Sequence, residues 1–324
     1  MAEIWEIKEG VEAIELDRDV EKPVRCFLLP HGDSYILVDA GYPQTAKHLL
    51  KALDKHRIQS ILLTHLHIDH SGGAQAVKTA KSTTLIYHER EFQTISKLLG
   101  AKPWFTKVFK ESGLQVLEKF LEYARSIPSP DEFAVDGLRF GEWRLIHTPG
   151  HTAGHMIVVG EEVGITGDLI LQEDTSNVAY IPFDNYHPLT EYLKNLTRLT
   201  KMKLSLLATS HGPLLKDCRQ RVAEIYAHHR QRLREVSRAV ENGLETALEI
   251  AQEIKWSKGN FSQLTPFDKW LAFLETLSHL DFLVETGHLV QKPGMVYSIN
   301  DESCWVRVEE ELRKLSEDRF QERL

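Results

Sequence analysis

Ten consecutive residues constrain this chain more than any others. Thr64-His65-Leu66-His67-Ile68-Asp69-His70-Ser71-Gly72-Gly73 sets three imidazoles and a carboxylate in an HxHxDH string. The string follows the apolar run Ile61–Leu63 and precedes a helix start at Gly73, so it is expected at the end of a strand. Neutral imidazole and carboxylate are the nitrogen and oxygen donors that suit zinc, iron or manganese. In an extended segment alternate side chains share a face, so His65 and His67 can grip one cation while a turn sends Asp69 and His70 toward another. One peptide can therefore seed two adjacent sites, which donors from other strand ends must complete. A histidine-rich surface loop is the weaker alternative, because the four fixed positions would seldom coincide by chance.

The 324 residues allow two domains and a large first core. A net charge of −8 disfavours a surface that coats nucleic acid or anionic lipid. Cys26, Cys218 and Cys304 are odd in number and lack CxxC spacing, which excludes a disulfide framework or a thiolate zinc cage and makes a reducing cytoplasm the default location. Glu3, Glu6, Lys8 and Glu9 break the first ten residues as no signal peptide would, and no apolar run is long enough for a membrane helix.

Strand-like runs at Ile4–Ile7, Val11–Leu16, Val24–Leu29 and Tyr35–Val38 predict a meander. A helix over Thr45–Lys55, the strand Ile61–Leu63, a shorter helix from Gly73 and the strand Thr84–Tyr87 then predict an α/β layer. A helical block at about 88–127 interrupts the strands. Pro128 and Pro130 end it, and strands resume at Leu138–His147, His155–Val159 and Val163–Thr166, with a helix near Glu191–Leu199 and a strand at Leu204–Ala208. The first domain should close at 217. Residues 218–300 then offer a long helix from Arg219, a helix at Thr246–Ile254, another at Pro266–Glu285 and a hairpin at Leu289–Ile299, the order of a winged helix. The stretch 301–324 reads as a charged, weakly helical tail.

Further donors lie past other strands: His151 in Thr148-Pro149-Gly150-His151, Asp168 in Gly167-Asp168, and His211 in Ser210-His211-Gly212. Together with Leu37-Val38-Asp39-Ala40-Gly41 and the HxHxDH string, these ordered elements over about 1–217 resemble the metallo-β-lactamase-fold hydrolases, and within them the glyoxalase II-like branch with a C-terminal winged helix. The resemblance implies an αββα sandwich of the α/β class followed by a small winged-helix domain. It implies that His65, His67 and His151 bind one metal, that Asp69, His70 and His211 bind a second, and that Asp168 bridges them. Zinc is the default cation for both sites, with iron and manganese also compatible. Antibiotic hydrolysis is disfavoured because lactamases carry cysteine where Asp168 stands. Flavin-partnered oxygen reduction is disfavoured because those members carry Glu where His67 stands and a flavodoxin domain that is missing here. The short interval from Asp168 to His211 also has no room for an inserted nuclease domain.

Two cations about 3.5–4 Å apart lower the pKa of a bridging water toward ~7 and supply hydroxide at neutral pH. With Asp69 orienting that hydroxide as the catalytic residue, the expected reaction is hydrolysis of an activated acyl bond in a small thioester, lactone or other ester. An RNA-cutting phosphodiesterase is the alternative, disfavoured by Glu275, Asp281 and Glu285 on the helix that would read nucleic acid. A metal-dependent, non-enzymatic regulator is the third reading, and a complete seven-ligand set exceeds what sensing requires. Asp39 either anchors a turn at the end of its strand or, as the resemblance implies, hydrogen-bonds the ligand loop without binding metal. The resemblance also implies that His147 and His155, which flank His151, do not bind metal. His187 either faces substrate or sits in an exposed loop, and His31, His48, His56, His228 and His229 are solvated or packed. Trp104, Phe105, Val108 and Phe109 either roof a pocket or, the stronger reading, pack on the core or a partner chain. The winged helix would pack beside the active-site edge or build a homodimer.

Overall fold

The computed structural model describes residues 2–16, 22–181, 186–300 and 305–317. They fall into two compact units. Residues 1–95, 121–176 and 203–218 form the first, and 96–120, 177–202 and 219–324 the second.

In the first unit β1 (Glu3–Lys8), β2 (Val11–Leu16), β3 (Val24–His31) and β4 (Ser34–Val38) form the expected antiparallel meander. Helices then separate the strands: α1 (Ala46–Ala52) precedes β5 (Ile58–Leu62), and α2 (Ile68–Ser71) and α3 (Ala74–Lys81) precede β6 (Thr84–His88). A helical crossover returns the chain to the same sheet edge in the same direction, so β5, β6 and β7 (Glu132–Ala134) add in parallel. The second sheet runs β12-β11-β10-β9-β8, with β8 (Arg139–Phe140), β9 (Trp143–His147), β10 (Met156–Val159), β11 (Val163–Gly167) and β12 (Leu206–Thr209).

Strand periodicity explains the layers. On β3, Phe27 and Leu29 join Ile36, Val38, Trp143, Leu145, Met156, Val158 and Ile165 in the core shared by the two sheets. The alternate residues Cys26 and Leu28 join Leu37 and, from α1 and α3, Leu49, Leu53, Ala74 and Val77. Both faces of the central strands are therefore covered, which is why they read as unbroken apolar runs. The result is the mixed α/β sandwich anticipated from the sequence.

Several elements differ from expectation. The run 138–147 is two strands, because Gly141 takes a left-handed φ of +60° and turns the chain into a tight hairpin. Strand β7 was not anticipated. The helical block is one helix, α4 (Glu89–Ser126), with Pro103 inside it.

The second unit contains the middle of α4, α5 (Pro188–Thr200), α6 (Arg219–Glu241), α7 (Ala247–Glu253), the short ribbon β13 (Lys255–Trp256) and β14 (Gly259–Asn260), α8 (Pro266–Glu285), the hairpin of β15 (Leu289–Lys292) and β16 (Val296–Ile299), and α9 (Trp305–Glu317). Thr265 caps α8, its hydroxyl accepting the Asp268 N–H at 3.1 Å, with Pro266 at the first helical position. Helix α8 is buried on nearly every side, through Trp270, Phe273, Leu274, Leu277, Leu280, Phe282 and Leu283. Phe105 of α4 is fully buried with its ring 4.7 Å from Trp270, and Trp104 lies 5.9 Å from Phe273. Trp104 and Phe105 thus pack within this unit, and the side chain of Phe109 lies outside the described residues. Helix α9 buries Val308, Leu312 and Leu315, a firmer element than the weakly helical tail expected. Cys304 and 318–324 lie outside the described residues.

Candidate metal centre

All seven donors anticipated from the sequence belong to the first unit, where strand ends present them. His65 and His67 follow β5. His67 keeps extended backbone and opens α2, a single helical turn that carries Asp69 and His70 as neighbours. His151 stands in the loop between β9 and β10, Asp168 just past β11, and His211 just past β12.

Their side chains form three overlapping groups, His65/His67/His151, His65/His70/Asp168 and Asp69/His70/His211, in each of which the donor atoms lie within 4.8 Å of one another. His67 Nδ1 is 3.0 Å from both His65 Nε2 and His151 Nε2. His211 Nε2 is 3.1 Å from Asp69 Oδ2, and His70 Nε2 is 3.8 Å from the same oxygen. Asp168 faces both groups. Its Oδ1 lies 3.5 Å from His70 Nε2 and 3.8 Å from His211 Nε2, while Oδ2 lies 3.7 Å from His151 Nε2. His70 Nε2 and Asp168 Oδ1 are buried without a hydrogen-bond partner. Buried polar atoms carry a desolvation cost unless something satisfies them, so this donor set fits divalent cations.

Outer contacts aim the rings. Asp39, fully buried with φ +62° at the end of β4, accepts the His70 Nδ1–H at 2.7 Å, which leaves the Nε2 lone pair facing inward. Asp39 also accepts the Thr64 N–H at 2.8 Å and the Thr64 hydroxyl at 2.9 Å. That hydroxyl lies 3.0 Å from His65 Nδ1 and so orients the neighbouring imidazole. His211 Nδ1–H donates to the Pro23 carbonyl at 2.7 Å. The Arg25 guanidinium donates to the Thr209 carbonyl at 3.2 Å and the Gly212 carbonyl at 2.5 Å, holding the loop on either side of His211.

Neither doubtful neighbour of His151 joins a donor group. His155, fully buried, accepts the Asp168 backbone N–H at 3.2 Å on Nε2 and meets the Thr148 hydroxyl at 2.9 Å on Nδ1. It thereby fixes the backbone of Asp168. Gly167 takes φ +50°, and a Cβ there would fall 2.8 Å from His155 Nε2 and 3.0 Å from Thr64 Oγ1. His147 stacks on His88 at 4.0 Å and reaches the Ala153 carbonyl at 3.0 Å. His187 stands in the second unit, where its Nδ1–H donates to Asp281 at 2.9 Å. His229 is buried 3.1 Å from His279.

Charges differ across the cluster. Burial, reinforced by His70 and His67, holds the His65 imidazole well below its ordinary range. Burial and His151 push His67 down to about 3. For His70, burial opposes charge, but Asp168, Asp69 and Asp39 outweigh it and raise the pKa well above the ordinary value. Burial would likewise raise Asp69, yet His70 and the His211 contact hold it at about 2.

Residues 20–211, more than half of the chain, match the sequence profile of the Metallo-beta-lactamase superfamily. The chain belongs to that superfamily. Among superfamily relatives, the Probable metallo-hydrolase YqjP of Bacillus subtilis is 26% identical over 79% of this chain and 86% of its own length. The Atrochrysone carboxyl ACP thioesterase of Aspergillus fumigatus is 26% identical over 67% of this chain and 59% of its own. Among solved structures, a metallo-beta-lactamase family protein from Thermus thermophilus superposes with a TM-score of 0.73 at 25% identity, covering 90% of this chain and 99% of its own. A beta-lactamase domain protein from Burkholderia ambifaria superposes with a TM-score of 0.77 at 23% identity, covering 91% and 94%. As a superfamily member with relatives named as hydrolases, the protein is a metal-dependent hydrolase. No helix among the described residues is long and apolar enough to cross a membrane.

Sequence reasoning did not single out Thr64, His155 or Arg25 as parts of this framework. Thr64 could have been suspected from its place at the head of the string. The other two carry no local signal.

Proposed function

We propose that the protein hydrolyses activated acyl bonds, thioesters or lactones, with two divalent cations, zinc by default. His65, His67 and His151 would hold one cation, and Asp69, His70 and His211 the other. The observation that carries this reading is Asp168, whose two oxygens face the two groups of nitrogens separately. Bound cations of this kind supply an acidified water and a Lewis acid for the acyl oxygen. The chain's own residues do the rest. Asp39 and Thr64 hold the imidazoles in the tautomer that presents lone pairs inward, and Asp69, held ionised, can accept a hydrogen bond from an attacking water and so orient it. The relative named as an acyl-carrier thioesterase supports the thioester class.

The nuclease reading loses further ground within the second unit, where the acidic residues of α8 are engaged. Glu275 accepts from Asn177 at 2.9 Å, Asp281 from His187 at 2.9 Å, and Glu285 from the Thr190 hydroxyl at 2.6 Å. A helix buried on nearly every side also has little face left to read a groove. The test is a panel of thioesters, lactones, carboxylic esters and phosphodiesters offered to zinc-loaded protein. Turnover of a thioester or lactone is expected, and turnover confined to phosphodiesters would overturn the proposal.

The charge pattern predicts how metal is lost in acid. A cation must displace the proton that the carboxylates stabilise on His70, whereas His65 and His67 are already neutral. As pH falls, the site containing His70 should therefore empty first. Dialysis over a pH series followed by elemental analysis should show two stages of metal loss, with proton release accompanying uptake in calorimetry.

A further inference from the structure

Glu91 stands in the first turn of α4, and its side chain is turned inward at 6% exposure. Its two oxygens serve different loops of the first unit. Oε2 accepts the backbone N–H of Leu66 at 3.0 Å, the residue between His65 and His67. Oε1 accepts the backbone N–H of Gly154 at 2.9 Å and the hydroxyl of Thr152 at 2.5 Å, both in the loop that begins with His151. These two loops carry the three nitrogens that converge within 3.0 Å contacts, although about 85 residues separate them in the chain. The packing around the carboxylate is close enough to dictate a neighbour. A Cβ at Gly154 would fall 2.7 Å from Glu91 Cγ and 2.7 Å from its backbone nitrogen, so the loop approaches only because that position is glycine.

We infer that Glu91 is a positioning residue for the first metal site: one buried carboxylate staples the His65–His67 loop to the His151 loop and so sets the spacing of the three imidazoles. The inference rests on the metal reading proposed above. It concerns one site of the pair, because no ligand of the other three-residue group, Asp69, His70 or His211, hydrogen-bonds Glu91 among the described contacts, and Asp39 and the Pro23 carbonyl position two of those rings. A carboxylate suits the task because it accepts on both oxygens and offers no hydrogen that would need an acceptor. The near-isosteric amide cannot do the same. In Glu91→Gln the NH2 group must face either the Leu66 N–H or the Gly154 N–H, neither of which can accept, so one loop loses its backbone tie.

The experiment titrates metal-free wild-type, Glu91→Gln and Thr152→Val proteins with Co(II), followed by the visible absorption of each site, with steady-state kinetics and thermal melting of the metal-free forms alongside. Wild type should take up two ions. Glu91→Gln should lose about 10–100-fold in affinity at one site while the other stays within about threefold, the range that outer hydrogen-bond partners of metal ligands command. The absorption band of the weakened site should shift, and kcat should fall with KM little changed. Thr152→Val, which keeps Glu91 and removes one of three donors, should show a smaller loss at the same site, and it decides the matter if Glu91→Gln fails to fold. Wild-type protein that binds no Co(II) would overturn the metal reading itself. Wild type binding two ions, with unaltered affinities and bands in the variants or with equal weakening of both sites, would overturn the role of Glu91 alone.

Discussion

Asp168→Ala is expected to lower acyl hydrolysis by about 10³-fold or more and to reduce bound metal from two ions to at most one, exceeding the ~10–100-fold that loss of an outer partner costs. The reason is its double-sided placement, with Oδ1 facing His70 and His211 and Oδ2 facing His151. Alanine removes a negative charge from the middle of a cluster of imidazoles, so two cations would then repel one another without a shared anion between them. A 10³-fold loss corresponds to about 4 kcal/mol of transition-state stabilisation. Asp168→Asn separates charge from shape: it keeps an oxygen donor but not the charge, and should retain more metal than alanine while losing most of the activity. Elemental analysis and kcat/KM on the three proteins check this.

The second large effect is at Asp39. Asp39→Ala should weaken metal binding by about 10–100-fold, chiefly at the site containing His70. It should also destabilise the metal-free protein by about 3–5 kcal/mol, as breaking a buried charged pair does. The carboxylate is fully buried and accepts from His70, the Thr64 N–H and the Thr64 hydroxyl. Removing it strands these donors away from water, and each orphaned buried donor costs about 1–3 kcal/mol. It also frees the His70 ring to change tautomer. Chemical denaturation of the metal-free protein measures the stability loss, and metal titration of the folded variant measures the change in affinity. A variant as stable as wild type with unchanged uptake would show that Asp39 merely ends a strand.

The candidate donor set was legible because four of its seven residues are local. His65, His67, Asp69 and His70 stand within six residues, so their spacing alone suggested two sites, whereas His151, Asp168 and His211 were candidates from their places past other strands and took their assignment to each metal from resemblance to a family. The partners that aim these donors were largely invisible. Glu91 looks like any first-turn glutamate of a helix, Arg25 like any polar residue on a strand, and His155 like a spare histidine beside His151. Their roles arise only when distant loops meet, and no periodicity encodes that meeting. The fold shows the same division. The apolar runs of β3 and its neighbours predicted strands, strong turn residues placed most boundaries, and the cover on both faces emerged only with the packing. The hairpin at Gly141 was hidden because apolar residues continue on both sides of the turn, and β7, at three residues, is too short to show a period. In the second unit the helical stripe of 219–240 and the Pro266 start of α8 were readable. The chain segments that complete that unit, 96–120 and 177–202, were not, because they join it from elsewhere in the sequence.

The central claim is tested most directly by counting metal and linking the count to turnover. Protein purified metal-free and titrated with zinc is predicted to bind two ions per chain, to hydrolyse a thioester or lactone only when loaded, and to lose and regain that activity with chelator and added metal. A chain that saturates at a single ion, or that hydrolyses its substrate equally well after chelation, would contradict the account.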